Sequence, residues 1–92
     1  MAREGFAMAD LWIGNVDSGT TDDEIREFLI GYGFPSFDSV QRVEGTGSRP
    51  AVVVRFNDVG HYALSTLQPR VHNLFWRGRT ILVQVVPERD EG

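Results

Sequence analysis

The chain has 92 residues, enough for one domain with a modest core and too few for a second. It contains no cysteine, so disulfides and thiolate metal sites are excluded, as suits a reducing compartment. Its net charge of −4 argues against a protein that holds nucleic acid by charge alone, because phosphate contacts supply most non-specific affinity.

The charge is unevenly distributed along the chain. Residues 1–40 carry eight acidic and two basic side chains, whereas residues 41–86 carry six arginines and two acidic side chains. This split predicts a local basic surface in the later strands. Every basic side chain is arginine, which can stack on bases and bind phosphate through two hydrogen bonds, although a codon bias would give the same composition.

The first ten residues lack the pattern of a secretory signal, and the longest apolar runs, residues 51–54 and 81–86, are too short to span a bilayer. We therefore expect a cytoplasmic location, with the nucleus left open. We expect residues 1–9 to be a disordered lead, with Met8 as the true start, residues 10–87 to be a single monomeric domain, and residues 88–92 to be a charged tail.

The apolar run Leu11 to Val16 indicates a strand whose two faces have different roles. Leu11 and Ile13 would face the core, and Trp12 and Gly14 the other side. A large flat indole beside a glycine that leaves the area above it open would suit a flat ligand. The alternative is that Trp12 fills the second half of a two-sided core.

The first helix has a clear start. Thr21 with Glu24 three residues later is a capping box, and apolar residues follow at helical spacing until glycines and Pro35 end the helix. The inward stripe is Ile25, Phe28, Leu29 and Tyr32. The acidic start could also bind a basic partner, but capping explains it fully.

Two strands and a second helix follow. Residues 39–44 indicate a polar strand near an edge, and the pattern does not determine whether Val40 or Val43 faces inward. Residues 49–56 indicate a third strand that begins near Pro50 and points Val52, Val54 and Phe56 to the core, with the residues between them on the open face. Asn57 or Asp58 would cap a helix ending before Pro69, with these residues facing inward: Val59, Tyr62, Ala63, Thr66 and Leu67.

An irregular segment, residues 70–77, precedes a last strand over residues 80–86. The order strand, helix, strand, strand, helix, strand, with both helices amphipathic, predicts an α+β fold of the ferredoxin-like βαββαβ type. Its antiparallel four-stranded sheet would carry both helices on one face and leave the other open.

The chain resembles the RNA recognition motif (RRM) family over residues 10–87. Leu11 to Val16 matches the first-strand RNP motif, including its aromatic second position and its asparagine. Residues 49–56 align with the third-strand RNP octamer, which keeps Arg49, Val54 and Phe56 but has Ala51 and Val53 at its two ligand-facing aromatic positions.

The resemblance implies single-stranded RNA on the open sheet face, with bases stacked on aromatic side chains. Trp12 would stack one base and Arg49 would contact phosphate. Losing two stacking rings at ~1–3 kcal/mol each would weaken binding by about two to four orders of magnitude. The remaining sheet-face candidates are Asn15, Gln41, Ala51, Val53, Arg55, Leu82 and Gln84.

Two rival functions compete with RNA binding. The protein-binding UHM subclass of RRMs is similar in its degenerate third-strand motif, its acidic first helix and an aromatic before the last strand; Trp76-Arg77-Gly78-Arg79 matches its loop in part, with Leu74 in place of the signature arginine. Phe75 and Trp76 would otherwise pack against the second helix or the sheet edge. Catalysis is disfavoured because His61, expected on the solvent side, and His72 lack partners at ligand spacing, and no cofactor or metal is expected.

Overall fold

The computed structural model describes residues 8–43 and 50–86. Within them the elements alternate as the sequence predicts, with a short additional hairpin before the last strand. The strands and helices, in chain order, are β1 (Ala9–Gly14), α1 (Asp22–Gly31), β2 (Ser39–Val43), β3 (Ala51–Phe56), α2 (His61–Leu67), a 3₁₀ helix (Gln68–Arg70), β4 (Phe75–Trp76), β5 (Arg79–Thr80) and β6 (Leu82–Val85).

The four long strands form one antiparallel sheet in the order β2-β3-β1-β6, and the α+β ferredoxin-like fold is confirmed. Alternate residues of β1 and β3 point to a core that also contains Ile25 and Leu29 of α1 and Leu64 of α2. Both helices therefore cover the same face of the sheet. β1 begins at Ala9, which is buried, one residue before the expected start of the domain.

The first helix forms where the sequence predicts it, but the inward position expected for Tyr32 is wrong, because this residue lies just past the end of the helix at Gly31 and is 40% exposed. Thr21 is the N-cap, and its hydroxyl accepts a hydrogen bond from the Glu24 backbone N–H at 3.1 Å while the Glu24 carboxylate accepts one from the Thr21 N–H at 2.9 Å. Ile25 and Leu29 are fully buried, and Phe28 packs at the core's margin. The capping box and the apolar spacing thus determine both the start of α1 and the face it buries.

The predicted start of the second helix is wrong, and its predicted inward face is correct only in part. Gly60, rather than Asn57 or Asp58, is the N-cap of α2, and no side chain caps it. Tyr62 is 85% exposed, and Ala63 and Thr66 are exposed. Val59 and Leu67 do pack against the core as predicted, and the fully buried residues beside them are Leu64 and, beyond the end of the helix, Val71.

Residues 74–81 form a hairpin where an irregular segment was predicted. β4 pairs with β5 around Arg77 and Gly78, whose φ angles are 53° and 81°. Positive φ at both central residues is the requirement of a type I′ turn, which matches the twist of the flanking strands. The hairpin places Trp76 on α1, rather than on the second helix or a sheet edge, and leaves Phe75 70% exposed.

Side chains cover the outer edge of β6 at Val83. The Gln68 Nε2 donates to the Val83 carbonyl at 2.6 Å, and the Val83 N–H donates to the Nδ1 of His72 at 3.1 Å. An edge strand exposes unpaired backbone groups that can pair with another chain. Gln68 and His72 occupy those groups at the centre of β6.

Candidate functional site

On the helix-free face of the sheet, the side chains lie in three rows that run across the strands. Directly opposite residues of an antiparallel pair share a face, so the register fixes each row. The first row lies at the Gly14 end, the second is centred on Trp12, and the third lies at the Asp10 end. In strand order the rows are Val43, Ala51, Gly14 and Leu82; then Gln41, Val53, Trp12 and Gln84; then Ser39, Arg55 and Asp10.

The indole of Trp12 lies over Gly14, its neighbour but one along β1. A β-carbon at Gly14 would lie 2.7 Å from Cζ3 and 2.9 Å from Cζ2 of the ring, and closer still to Cη2. The expectation that Gly14 leaves an open area for a flat ligand is therefore wrong, because the indole itself fills that area. Trp12 is half-buried, with Gly14 beneath its six-membered ring.

Small and apolar side chains surround the indole. Val53 lies opposite Trp12 and is half-buried, whereas Ala51, opposite Gly14, is 5% exposed. These are the two positions at which the RRM octamer has rings. Gln41 and Gln84 are exposed in the row of Trp12, so amide groups border the apolar centre of the face.

Arg55 is held by Asp10 on the adjacent strand. Its Nε donates to Oδ1 at 2.8 Å and its Nη2 donates to Oδ2 at 3.0 Å, a two-bond fork between residues paired in register. The hydrogen bond to Asp10, followed by the charge of that carboxylate, raises the pKa of Arg55 above its ordinary value. The guanidinium faces the open side of the sheet with its charge compensated.

Asn15 lies just beyond β1 and anchors the β4–β5 hairpin. Its φ is 63°, a left-handed conformation that asparagine tolerates. The side-chain Nδ2 donates to the Thr80 carbonyl at 3.0 Å, and Oδ1 accepts from Nη1 of Arg79 at 3.0 Å. The Asn15 amide is thus engaged within the protein, at the end of the sheet nearest Gly14.

Folding brings the two oppositely charged parts of the sequence together. Arg42 pairs with Asp22, Arg55 with Asp10, and Arg77 with Glu24 at 3.4 Å, so three arginines of the later part meet acids of the first 40 residues. The local basic surface expected from the charge split is therefore largely compensated at these positions. Arg49, the predicted phosphate contact, lies outside the described residues.

A second cluster lies on α1 and the hairpin. The ring of Trp76 stacks on Phe28 with centroids 4.2 Å apart and an interplanar angle of 20°, and Tyr32 lies 5.3 Å from Phe28. This aromatic cluster joins the hairpin to the helix layer, on the opposite side of the sheet from Trp12.

The pKa of Glu24, at the start of α1, is lowered from its ordinary value. The backbone hydrogen bond from Thr21 is the main cause, and the charge of Arg77 lowers the pKa further.

The sequence correctly indicated which strands form the site, but Asp10 was not among the predicted site residues. Asp10 stands two residues before Trp12, so strand alternation alone places both on one face. The other predicted sheet-face residues, Gln41, Ala51, Val53, Arg55, Leu82 and Gln84, do lie in the three rows with Trp12. Asn15 lies beside these rows, at the strand's end.

Within residues 8–43 and 50–86, no group of three or more His, Cys, Asp or Glu side chains could hold a metal ion. His61 is half-buried, contrary to the solvent-side position expected for it, and its Nε2 is shielded from solvent. No helix in the described part of the chain is long and apolar enough to span a bilayer.

No protein-family model matches the sequence, and no curated protein matches it. Solved structures do match the fold. Pes4 RRM3 has a TM-score of 0.67 at 22% identity over 90% of this chain and 96% of that chain. The RRM3 domain of Mip6 has a TM-score of 0.66 at 18% identity over 84% and 91%.

The C-terminal RRM domain of MEC-8, in a structure described as bound to AGCACA, has a TM-score of 0.63 at 11% identity over 94% of this chain and 99% of that chain. At these identities the likeness is one of fold. The described part of the chain has the RRM fold.

Proposed function

We propose that this RRM-fold domain binds single-stranded RNA on its helix-free sheet face, with modest affinity. The observation that carries the proposal is the position of Trp12 on that face, above Gly14 and away from both helices. An aromatic ring supported from beneath is a platform on which a base of any identity can stack. The MEC-8 domain, which shares the fold, is described as bound to AGCACA.

The neighbours of Trp12 support a modest affinity. Ala51 and Val53 replace two stacking rings, each worth ~1–3 kcal/mol. Because Arg55 is already paired with Asp10, it should attract phosphate less strongly than an unpaired arginine would. In this proposal Arg49 contacts phosphate, Leu82 adds apolar contact, and the amides of Gln41 and Gln84 hydrogen-bond base edges.

Titration with short random RNA pools at low and moderate salt tests the proposal. Wild type is compared with Trp12→Ala and with Tyr62→Ala, which removes an aromatic that is 85% exposed on the helix side. We expect binding that falls with salt, drops with Trp12→Ala and stays unchanged with Tyr62→Ala. Equal binding by wild type and Trp12→Ala would overturn the stacking role, and no binding to any pool would overturn the function.

The alternative is a protein-binding, UHM-like module, which the exposed ring of Phe75 favours. Phe75 is 70% exposed beside Trp76, whose own ring is stacked on Phe28. In the alternative, a partner's binding is lost with Phe75→Ala and is insensitive to added RNA and to Trp12→Ala. RNA binding that depends on Trp12 contradicts it.

A further inference from the structure

We propose that Asp10 competes with RNA phosphate for Arg55 and thereby sets the affinity and salt sensitivity of the sheet face. This inference rests on the proposed RNA-binding function and concerns its regulation. It assigns to Asp10 the role of an internal anion that occupies a phosphate-binding group.

The geometry makes the competition direct. Arg55 and Asp10 are register partners on β3 and β1, in the row next to Trp12. The carboxylate takes both Nε and Nη2 of the guanidinium, at 2.8 and 3.0 Å. This fork–fork arrangement is also the one in which arginine binds phosphate, so a phosphate oxygen must replace Asp10 to use the same two donors.

The exposure of the pair makes the exchange reversible. The Arg55 side chain is 50% exposed and the Asp10 side chain 23% exposed. A pair accessible to solvent is weak, so phosphate can displace it, whereas a buried pair would hold. We expect loss of the pair to change RNA affinity by a factor of up to about five.

The position relative to Trp12 links the two contacts. Asp10, Trp12 and Gly14 lie on one face of β1, and the indole leans over Gly14, so in this proposal the nucleotide that follows the stacked base places its phosphate at the Asp10 row. In wild type the Asp10 carboxylate repels that phosphate and occupies its arginine. Base stacking therefore dominates binding, and charge contributes less than the number of arginines suggests.

The test compares Asp10→Asn, Arg55→Gln and the double variant, using the short random RNA pools over a series of salt concentrations. We expect Asp10→Asn to bind about two- to fivefold more tightly, with the slope of log K against log salt steeper by about 0.7, the value for one added phosphate contact on a single strand. Arg55→Gln should bind more weakly than wild type, because it leaves the Asp10 carboxylate unpaired, and the double variant should bind about as wild type does and less tightly than Asp10→Asn. Asp10→Thr, with a strand-forming residue, should reproduce the gain.

Glu27→Gln is the charge control, because it removes one exposed acid from the helix side. Wild-type affinity in Asp10→Asn and Asp10→Thr would overturn the inference. A double variant that binds as tightly as Asp10→Asn, or a gain that Glu27→Gln reproduces, would overturn it too, since either result indicates loss of repulsion only. The proposed function fails separately, when wild type binds none of the RNA pools.

Discussion

The six-membered ring of Trp12 occupies the space where a β-carbon of residue 14 would lie, and Gly14 stands two residues further along the same strand on the same face. Glycine is required here by close approach, since the space of its missing side chain holds the indole. The sheet backbone thus supports the ring from beneath and fixes where a ligand can stack.

Gly14→Ala should move the indole without unfolding the domain. The added methyl would overlap Cη2, Cζ3 and Cζ2, but these are the outer atoms of a side chain that can rotate, so the change in unfolding free energy should stay within about 1 kcal/mol. RNA affinity should fall at least about fivefold, the lower range for one stacked base. Chemical denaturation and RNA titration measure the two effects, and unchanged RNA affinity would contradict the role of this contact.

Asn15→Ala should destabilise the fold through the hairpin anchor. It removes the hydrogen bonds to Thr80 and Arg79 and leaves alanine at φ 63°, for a loss of about 1–3 kcal/mol. Asn15→Gly is the matched control, because it loses the same hydrogen bonds without the left-handed strain. Denaturant titration should rank wild type, Asn15→Gly and Asn15→Ala in falling order; equal midpoints would show that the anchor contributes nothing.

The stack of Phe28 on Trp76 should appear as a coupling energy. A double-mutant cycle with Phe28→Leu and Trp76→Leu should give about 0.5–1.5 kcal/mol, since the rings are 4.2 Å apart and nearly parallel. RNA affinity of the folded variants should match wild type, because the stack lies on the helix side. Additive effects on stability would mean that the rings do not interact.

Substitution by alanine should have opposite effects on stability at Gly78, in the type I′ turn, and at Gly31, at the end of α1. Gly78→Ala should destabilise the domain by about 1–2 kcal/mol, because φ is 81° at Gly78. Gly31→Ala, at the end of α1, should stabilise it by up to about 1 kcal/mol, since an added methyl there meets nothing within 4 Å. Thermal unfolding of both variants checks this, and a neutral Gly78→Ala would argue against the turn.

The sequence was sufficient to predict the sheet and α1 because these depend on local patterns. Strand alternation placed Val52, Val54 and Phe56 in the core, and Thr21 with Glu24 located the start of α1. In the polar second strand, where alternation left two candidates, Val40 packs on the core and Val43 is exposed on the open face. Alternation could not choose between them because few apolar residues mark either face.

Features set by tertiary packing could not be predicted. Helix spacing in α2 fits two overlapping stripes, and packing of Leu64 against the sheet selects one of them. The turn at Arg77 requires a conformation that arginine rarely adopts, so its sequence gives a weak turn signal. Whether Trp12 lies beside Gly14 or over it is a choice of side-chain rotamer, which alternation does not determine.

The most direct test of the central claim is the fluorescence of Trp12 during RNA titration in the Trp76→Phe variant. The sequence contains two tryptophans, and phenylalanine keeps a ring against Phe28, so Trp12 becomes the only indole in a domain with its helix-side stack intact. We predict that emission is quenched in proportion to RNA bound, because the base stacks on the exposed side of the indole. Binding detected by another method, with Trp12 emission unchanged at saturation, would contradict the account.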